Sequence, residues 1–197
     1  MQVILSNEQP SAGQPGIFNT MQKAVFIDRD NTLILNDGDL GDPDGVVLLD
    51  GAAEGIRSLD EAGFVLVVVT NQGGVARGRY GEDDVRLVHE RLHELLGPER
   101  RVAFYFCPYH PEGSVEAYTR EHPWRKPAPG MLLAAAEELD LELTRSWMIG
   151  DQVRDAEAGR SAGCRTILIG EDHPVEAADH LVVDFGAAAR LIIEDGS

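Results

Sequence analysis

The segment FVLVVVT (64–70) is an unbroken run of apolar and β-branched residues within a chain of 197. A strand with one wet face alternates apolar and polar side chains, so a continuous run is buried on both faces. That is the pattern of a parallel sheet covered by helices on both sides. Other segments fall into line with it. AVFI (24–27), VAFYFC (102–107), WMIG (147–150) and RTILIG (165–170) read as strands, with LVV (181–183) a sixth. Between them the periodicity turns helical. One helix is expected over 51–62, with Asp50 as N-cap, Ile56 and Leu59 facing inward and Gly63 as its stop. A second opens on Glu82, Asp83 and Asp84, carries Val85, Val88, Leu92 and Leu95 on one stripe, and stops at Gly97-Pro98. Pro129 opens a third through MLLAAAEEL, and a fourth ends near Gly163. Strands alternating with helices predict an α/β fold, a Rossmann-like open parallel sheet flanked by helices.

The length suits one domain, expected over residues 21–197. The first twenty residues are rich in Ser, Gly, Pro and Gln and predict a poorly ordered arm. They lack the basic and apolar regions of a secretory signal, and no apolar run is long enough to span a bilayer. A formal charge of −17 argues against a nucleic-acid or anionic-membrane partner. Cys107 and Cys164, with no Cys-x-x-Cys pair, point to a reduced, cytoplasmic compartment. In so acidic a chain, any phosphate site must gather its positive charge locally.

Open α/β sheets bind ligands beyond the carboxyl ends of their strands, so the residues at those ends carry the functional information. The first strand runs into Asp28-Arg29-Asp30-Asn31-Thr32, the second into Thr70-Asn71-Gln72, and the fourth into Gly150-Asp151, with Asp155 one helical turn on. Lys126 lies just before the helix that Pro129 opens. Carboxylates from two strand ends can share Mg²⁺, which favours oxygen ligands. Thr70 and Asn71 offer donors to a phosphoryl group, and Lys126 offers charge.

The four segments FIDRDNT, VVVTNQ, RKPAPG and MIGDQVRD, in this order, resemble the motifs of the haloacid dehalogenase (HAD) superfamily of phosphoryl-transfer enzymes. The resemblance implies that Asp28 is the nucleophile and forms an aspartyl-phosphate, while Asp30 is the general acid and base. It implies that Mg²⁺ is held by Asp28, the Asp30 backbone carbonyl and Asp151, with Asp155 supporting the metal from behind. Lys126 and Thr70 complete the catalytic set.

TNQGGVARGRY, CPYHPEGSVEAY and RKPAPGML narrow the resemblance to the branch of heptose bisphosphate phosphatases and histidinol-phosphatases, which lacks a large cap domain. Asn71, Gln72, Arg77 and Arg125 are then expected to bind substrate. That branch usually carries a zinc-stapled loop, whose four ligand positions are here Cys107, Tyr109, His122 and Trp124. Tyr and Trp do not complete a tetrahedral site, so structural zinc is not expected and packing of Tyr109 and Trp124 should hold the loop. A metal on Cys107, His110 and His122 is the alternative. Asn31 replaces the usual Gly, and Asn tolerates positive φ; Gln152 replaces the usual Lys. The resulting expectation is a monomeric, Mg²⁺-dependent phosphatase of a small phosphorylated sugar, most specifically a heptose 1,7-bisphosphate. Histidinol phosphate or another small metabolite phosphate is the alternative substrate, and a non-catalytic binding module the remote alternative.

Overall fold

A computed structural model describes residues 21–170 and 172–196; the arm expected over residues 1–20 lies outside them. Six strands form one wholly parallel sheet: β1 (Ala24–Ile27), β2 (Val65–Asn71), β3 (Val102–Cys107), β4 (Trp147–Gly150), β5 (Arg165–Ile169) and β6 (His180–Val182). Five α-helices flank it: α1 (Ala52–Glu61), α2 (Glu82–Leu96), α3 (Gly130–Leu139), α4 (Val153–Ala162) and α5 (Phe185–Asp195). The strand order is β3-β2-β1-β4-β5-β6, so the chain's direction of travel across the sheet reverses between β1 and β4. The crevice at that reversal is where such folds bind ligands. Asp28 and Asp151 are the residues that directly follow these two strands, and the Asp28 N–H donates to the Ile149 carbonyl at 2.9 Å.

Two-sided burial follows from strand alternation. Val25, Ile27, Leu66 and Val68 pack with Ile56, Leu59, Val88, Leu92, Phe185 and Ile192 from α1, α2 and α5. Ala24, Phe26, Val67, Val69 and Met148 pack on the other face with Met131, Leu132 and Ala135 of α3 and Ala158 of α4. Each fully buried aliphatic or aromatic side chain here is worth roughly 1.5–3 kcal/mol, which makes the strand ends a rigid base for a site.

Three expectations need correction. Gly51, not Asp50, caps α1, in the left-handed conformation (φ 78°) and with no side-chain hydrogen bond to the first turn. Pro129 is itself the cap residue of α3, which begins at Gly130. The sequence reading also ended at the sixth strand, whereas α5 follows it. Its Asp184 N-cap accepts from the Ala187 N–H at 2.7 Å, and Phe185 packs closely on Gly55 of α1. Asn31 does adopt positive φ, at 57°. Among the described residues no helix is long and apolar enough to cross a membrane. Between β1 and α1, and between β3 and α3, the chain makes loops with single 3-10 turns (Pro43–Gly45 and Glu116–Tyr118). Neither loop is large enough to be a cap domain.

Candidate active site

At the head of β1, Asp28 is buried and meets Lys126, whose Nζ donates to Asp28 Oδ1 at 2.7 Å and to the Val69 carbonyl at 2.8 Å. The same ammonium lies 2.8 Å from Asp155 Oδ1, and none of the three side chains is more than 6% exposed. Its hydrogen bonds thus go to the Asp28 carboxylate and the Val69 carbonyl, and Asp155 is held as a close ion pair. Burial would pull Lys126 down, but Asp155 and Asp28 outweigh it and hold it above its ordinary range. Asp28 is pushed up to about 8 by burial, only partly offset by Lys126, with Asp155 and Asp30 adding repulsion. One buried cation shared by two buried carboxylates offsets only part of the cost of burying Asp28 as an anion.

Asp155 is not a surface carboxylate of α4. It is fully buried, and its Oδ2 accepts from the Gln152 N–H at 3.0 Å, closing a capping box at the helix start. Gly150 makes this approach possible, since a Cβ there would lie 2.4 Å from the Asp155 side chain. Asp28, Asp151 and Asp155 each offer a carboxylate oxygen within 4.8 Å of the others. Asp151 is raised by burial, offset in part by the Gln152 amide, which donates to its Oδ2 at 2.7 Å. Three clustered carboxylate oxygens form a hard donor set that suits Mg²⁺.

Asp30 points into a different network. Its carboxylate accepts from Arg29 Nη2 (3.0 Å), Asn36 Nδ2 (2.7 Å), Thr70 Oγ1 (3.0 Å) and Gln72 Nε2 (2.8 Å). Burial alone would raise this group, but the Arg29 guanidinium and these hydrogen bonds hold it below the ordinary carboxylate range. Arg29 itself is fully buried. The sequence reading passed over Arg29, because strict alternation sends it to the face opposite Asp28 and Asp30. A turn after β1, closed by Leu33 and Ile34 N–H groups on the Arg29 carbonyl, brings its side chain back to Asp30.

The other expected residues divide by what already holds them. Thr70 and Gln72 bind Asp30, and Gln72 also accepts from the Tyr80 hydroxyl at 2.8 Å. Asn71 grips the Lys126 backbone at both ends of its amide, donating to the carbonyl and accepting from the N–H, each at 3.0 Å. These three side chains therefore position the catalytic groups as well as line the cleft. Arg77 is paired with Asp39 at 2.6 Å, and Asp39 also pairs with Arg79 at 2.9 Å. Arg125 donates to the Tyr109 carbonyl at 3.2 Å and is lowered by burial. A cleft of about 340 Å³ joins Asp28, Asp30, Asp151 and Lys126 to Arg77 and Arg125, and also takes in Asp39, Tyr80, His110 and Arg154. Asp39, Tyr80 and Arg154 gave no sequence signal, and His110 only one as a metal ligand, as these residues come from loops and a helix start that only the fold brings together.

In the loop after β3, Tyr109 stacks on His122 (centroids 4.3 Å apart), and Trp124 stands edge-on to both His122 and Tyr105 at 6.2 Å. The His122 Nδ1 accepts from the Trp124 N–H at 3.1 Å. The Cys107 thiol, raised by burial, is directed at the Tyr109 carbonyl. Among the described residues, Cys107, His110 and His122 do not converge into a metal-holding group.

A relative from Yersinia pestis, a D-glycero-β-D-manno-heptose-1,7-bisphosphate 7-phosphatase, is 38% identical over 82% of this chain and 88% of its own. The chain belongs to the HAD-like hydrolases. The HAD-hydrolase-like family model itself matches residues 123–188. Among solved structures, a HAD-like protein from Mesorhizobium loti superposes on this HAD-like chain with a TM-score of 0.80, at 34% identity. It covers 94% of this chain and 91% of its own. The D,D-heptose 1,7-bisphosphate phosphatase from B. bronchiseptica, complexed with magnesium and phosphate, gives 0.75 at 26% identity, over 88% and 99% of the two chains. The HAD-like fold expected from the sequence is thereby established.

Proposed function

We propose that the chain is a phosphomonoesterase that removes the 7-phosphate of D-glycero-β-D-manno-heptose 1,7-bisphosphate. The observation that carries this is Asp28, paired with the buried Lys126 and clustered with Asp151 at the topological switch point of the sheet. Relatives at 38–42% identity act on this sugar by name, which supports the substrate.

Asp28 attacks phosphorus in line, forming an aspartyl-phosphate as the bond to the leaving sugar oxygen breaks. That oxygen takes its proton from Asp30. Water then gives a proton back to Asp30 and attacks the aspartyl-phosphate, so inorganic phosphate leaves and Asp28 is restored. The resting network around Asp30 favours the carboxylate, the form needed in the second half, so substrate entry must loosen it for the first. Lys126 lowers the repulsion between an anionic nucleophile and an anionic substrate.

The carboxylates of Asp28 and Asp151 and the backbone carbonyl of Asp30 would hold Mg²⁺, with Asp155 behind them. When bound, the ion neutralises charge between the nucleophile and the phosphoryl oxygens. Treatment with EDTA is therefore expected to cut phosphate release by at least about 100-fold, with recovery on adding Mg²⁺; full activity in excess chelator would sink the metal assignment. A panel of sugar phosphates ranked by kcat/KM tests the substrate, and a flat panel would count against the heptose bisphosphate.

We further infer a single domain over 21–197, in a cytoplasmic monomer with no nucleic-acid or membrane partner, a reading the charge of −17 supports. The loop after β3 is held without zinc. The stack of Tyr109, His122 and Trp124 supports this, as aromatic pairs of this kind add about 0.5–1.5 kcal/mol each beyond their buried area. Protein stripped of metal and reconstituted with zinc should retain far less than one equivalent after desalting, and one tightly held equivalent would reverse the conclusion.

A further inference from the structure

The cations of the cleft fall into two groups. Lys126 is neutralised by Asp28 and Asp155, Arg29 by Asp30, and Arg77 by Asp39, which also engages Arg79. Each of these guanidinium or ammonium groups already has a carboxylate at hydrogen-bond distance. Arg125 and Arg154 do not. Arg125 holds only a backbone carbonyl. Arg154 is exposed, lines the same cleft, and among the described residues has no hydrogen bond or ion pair.

The placement of Arg154 also runs against local preference. It is the second residue of α4, at the positive end of the helix dipole, where a cation is unfavourable and Asp or Glu is preferred. It lies close enough to Arg125 for the two to repel, and that repulsion contributes to lowering Arg125. Its nearby opposite charge is Asp151, a carboxylate the metal would claim. A residue that breaks a local rule with no compensating contact marks a functional position. Two guanidiniums beside one cleft, neither with a carboxylate at hydrogen-bond distance among the described residues, form an anion receptor in a chain of net charge −17.

We propose that Arg154 is a specificity-determining residue that binds, together with Arg125, the second anionic group of the substrate, the phosphate that is not transferred. Arg77 takes a lesser part, because Asp39 would have to release it first. This rests on the reading of the chain as a phosphatase of a bisphosphorylated sugar.

The test compares heptose 1,7-bisphosphate with heptose 7-phosphate in wild type, Arg154→Gln and Arg154→Lys. In wild type the ratio of kcat/KM for bisphosphate over monophosphate should exceed one. In Arg154→Gln that ratio should fall on the order of tenfold, through a higher KM for the bisphosphate. The lysine variant should restore it in part, since a point charge replaces a fork. An unchanged ratio in Arg154→Gln, or an equal loss on both substrates, would overturn the proposal. The second outcome would mean that Arg154 serves the transferred phosphate or the fold instead. Wild type inactive on both substrates would instead overturn the phosphatase reading itself, so the two failures are distinguishable.

Discussion

Asp28→Asn is expected to reduce phosphate release by at least about 10³-fold, because the amide cannot form the aspartyl-phosphate. The protein should stay folded. Asparagine has the same size, and its carbonyl oxygen can still accept from Lys126 Nζ and from the Arg29 N–H, which Asp28 Oδ1 now holds at 2.7 and 2.8 Å. The variant also relieves an electrostatic excess, since Asp28 and Asp155 are two buried carboxylates on one lysine. The melting temperature should therefore be unchanged or slightly higher, measured beside activity with an aryl phosphate and Mg²⁺. A variant that kept wild-type turnover would show that another group attacks phosphorus.

Lys126→Met is expected to abolish activity and to destabilise the fold as well. It strands Asp28 and Asp155 in a site where neither is more than 6% exposed. Removing one partner of a buried ion pair costs about 3–5 kcal/mol, since the remaining charge cannot be resolvated. In a domain of this size that corresponds to a fall in Tm of roughly 10 °C. The double variant Lys126→Met/Asp155→Asn removes one stranded charge, so it should recover stability but not activity. A single variant with an unchanged Tm would mean that the trio is not electrostatically coupled as its geometry requires.

How much of this was legible in the chain differs residue by residue. FVLVVVT announced a strand buried on both faces, and Val65–Asn71 is the second strand from the edge, covered by helices on each side. Asp28, Thr70 and Asp151 were readable because strand ends can be located from local pattern, and open α/β folds bring them together. Asn31 was readable because few residues tolerate its backbone conformation. Asp155 was ambiguous, because the first turn of a helix does not reveal which side faces the core. Arg29 was missed because alternation fails at the turn beyond a strand. The helix α5 was missed too, as FGAAARLIIED follows a three-residue strand and has only a short apolar stripe to declare it.

The sequence by itself determined the sheet, the order of its strands along the chain, and the acidic and basic residues delivered to one end of it. These depend on periodicities of two and 3.6 residues and on motif order, all local properties. Only the tertiary structure decided which of those charges are already paired. Asp39 takes Arg77 from 38 positions away, Lys126 takes Asp28 across 98, Asn71 clamps the Lys126 backbone across 55, and Arg154 is left open to the cleft. Pairing is a matter of distances of a few ångströms between segments remote in the chain. No local pattern encodes those distances, and on them depends whether a charged residue holds the site together or waits for substrate.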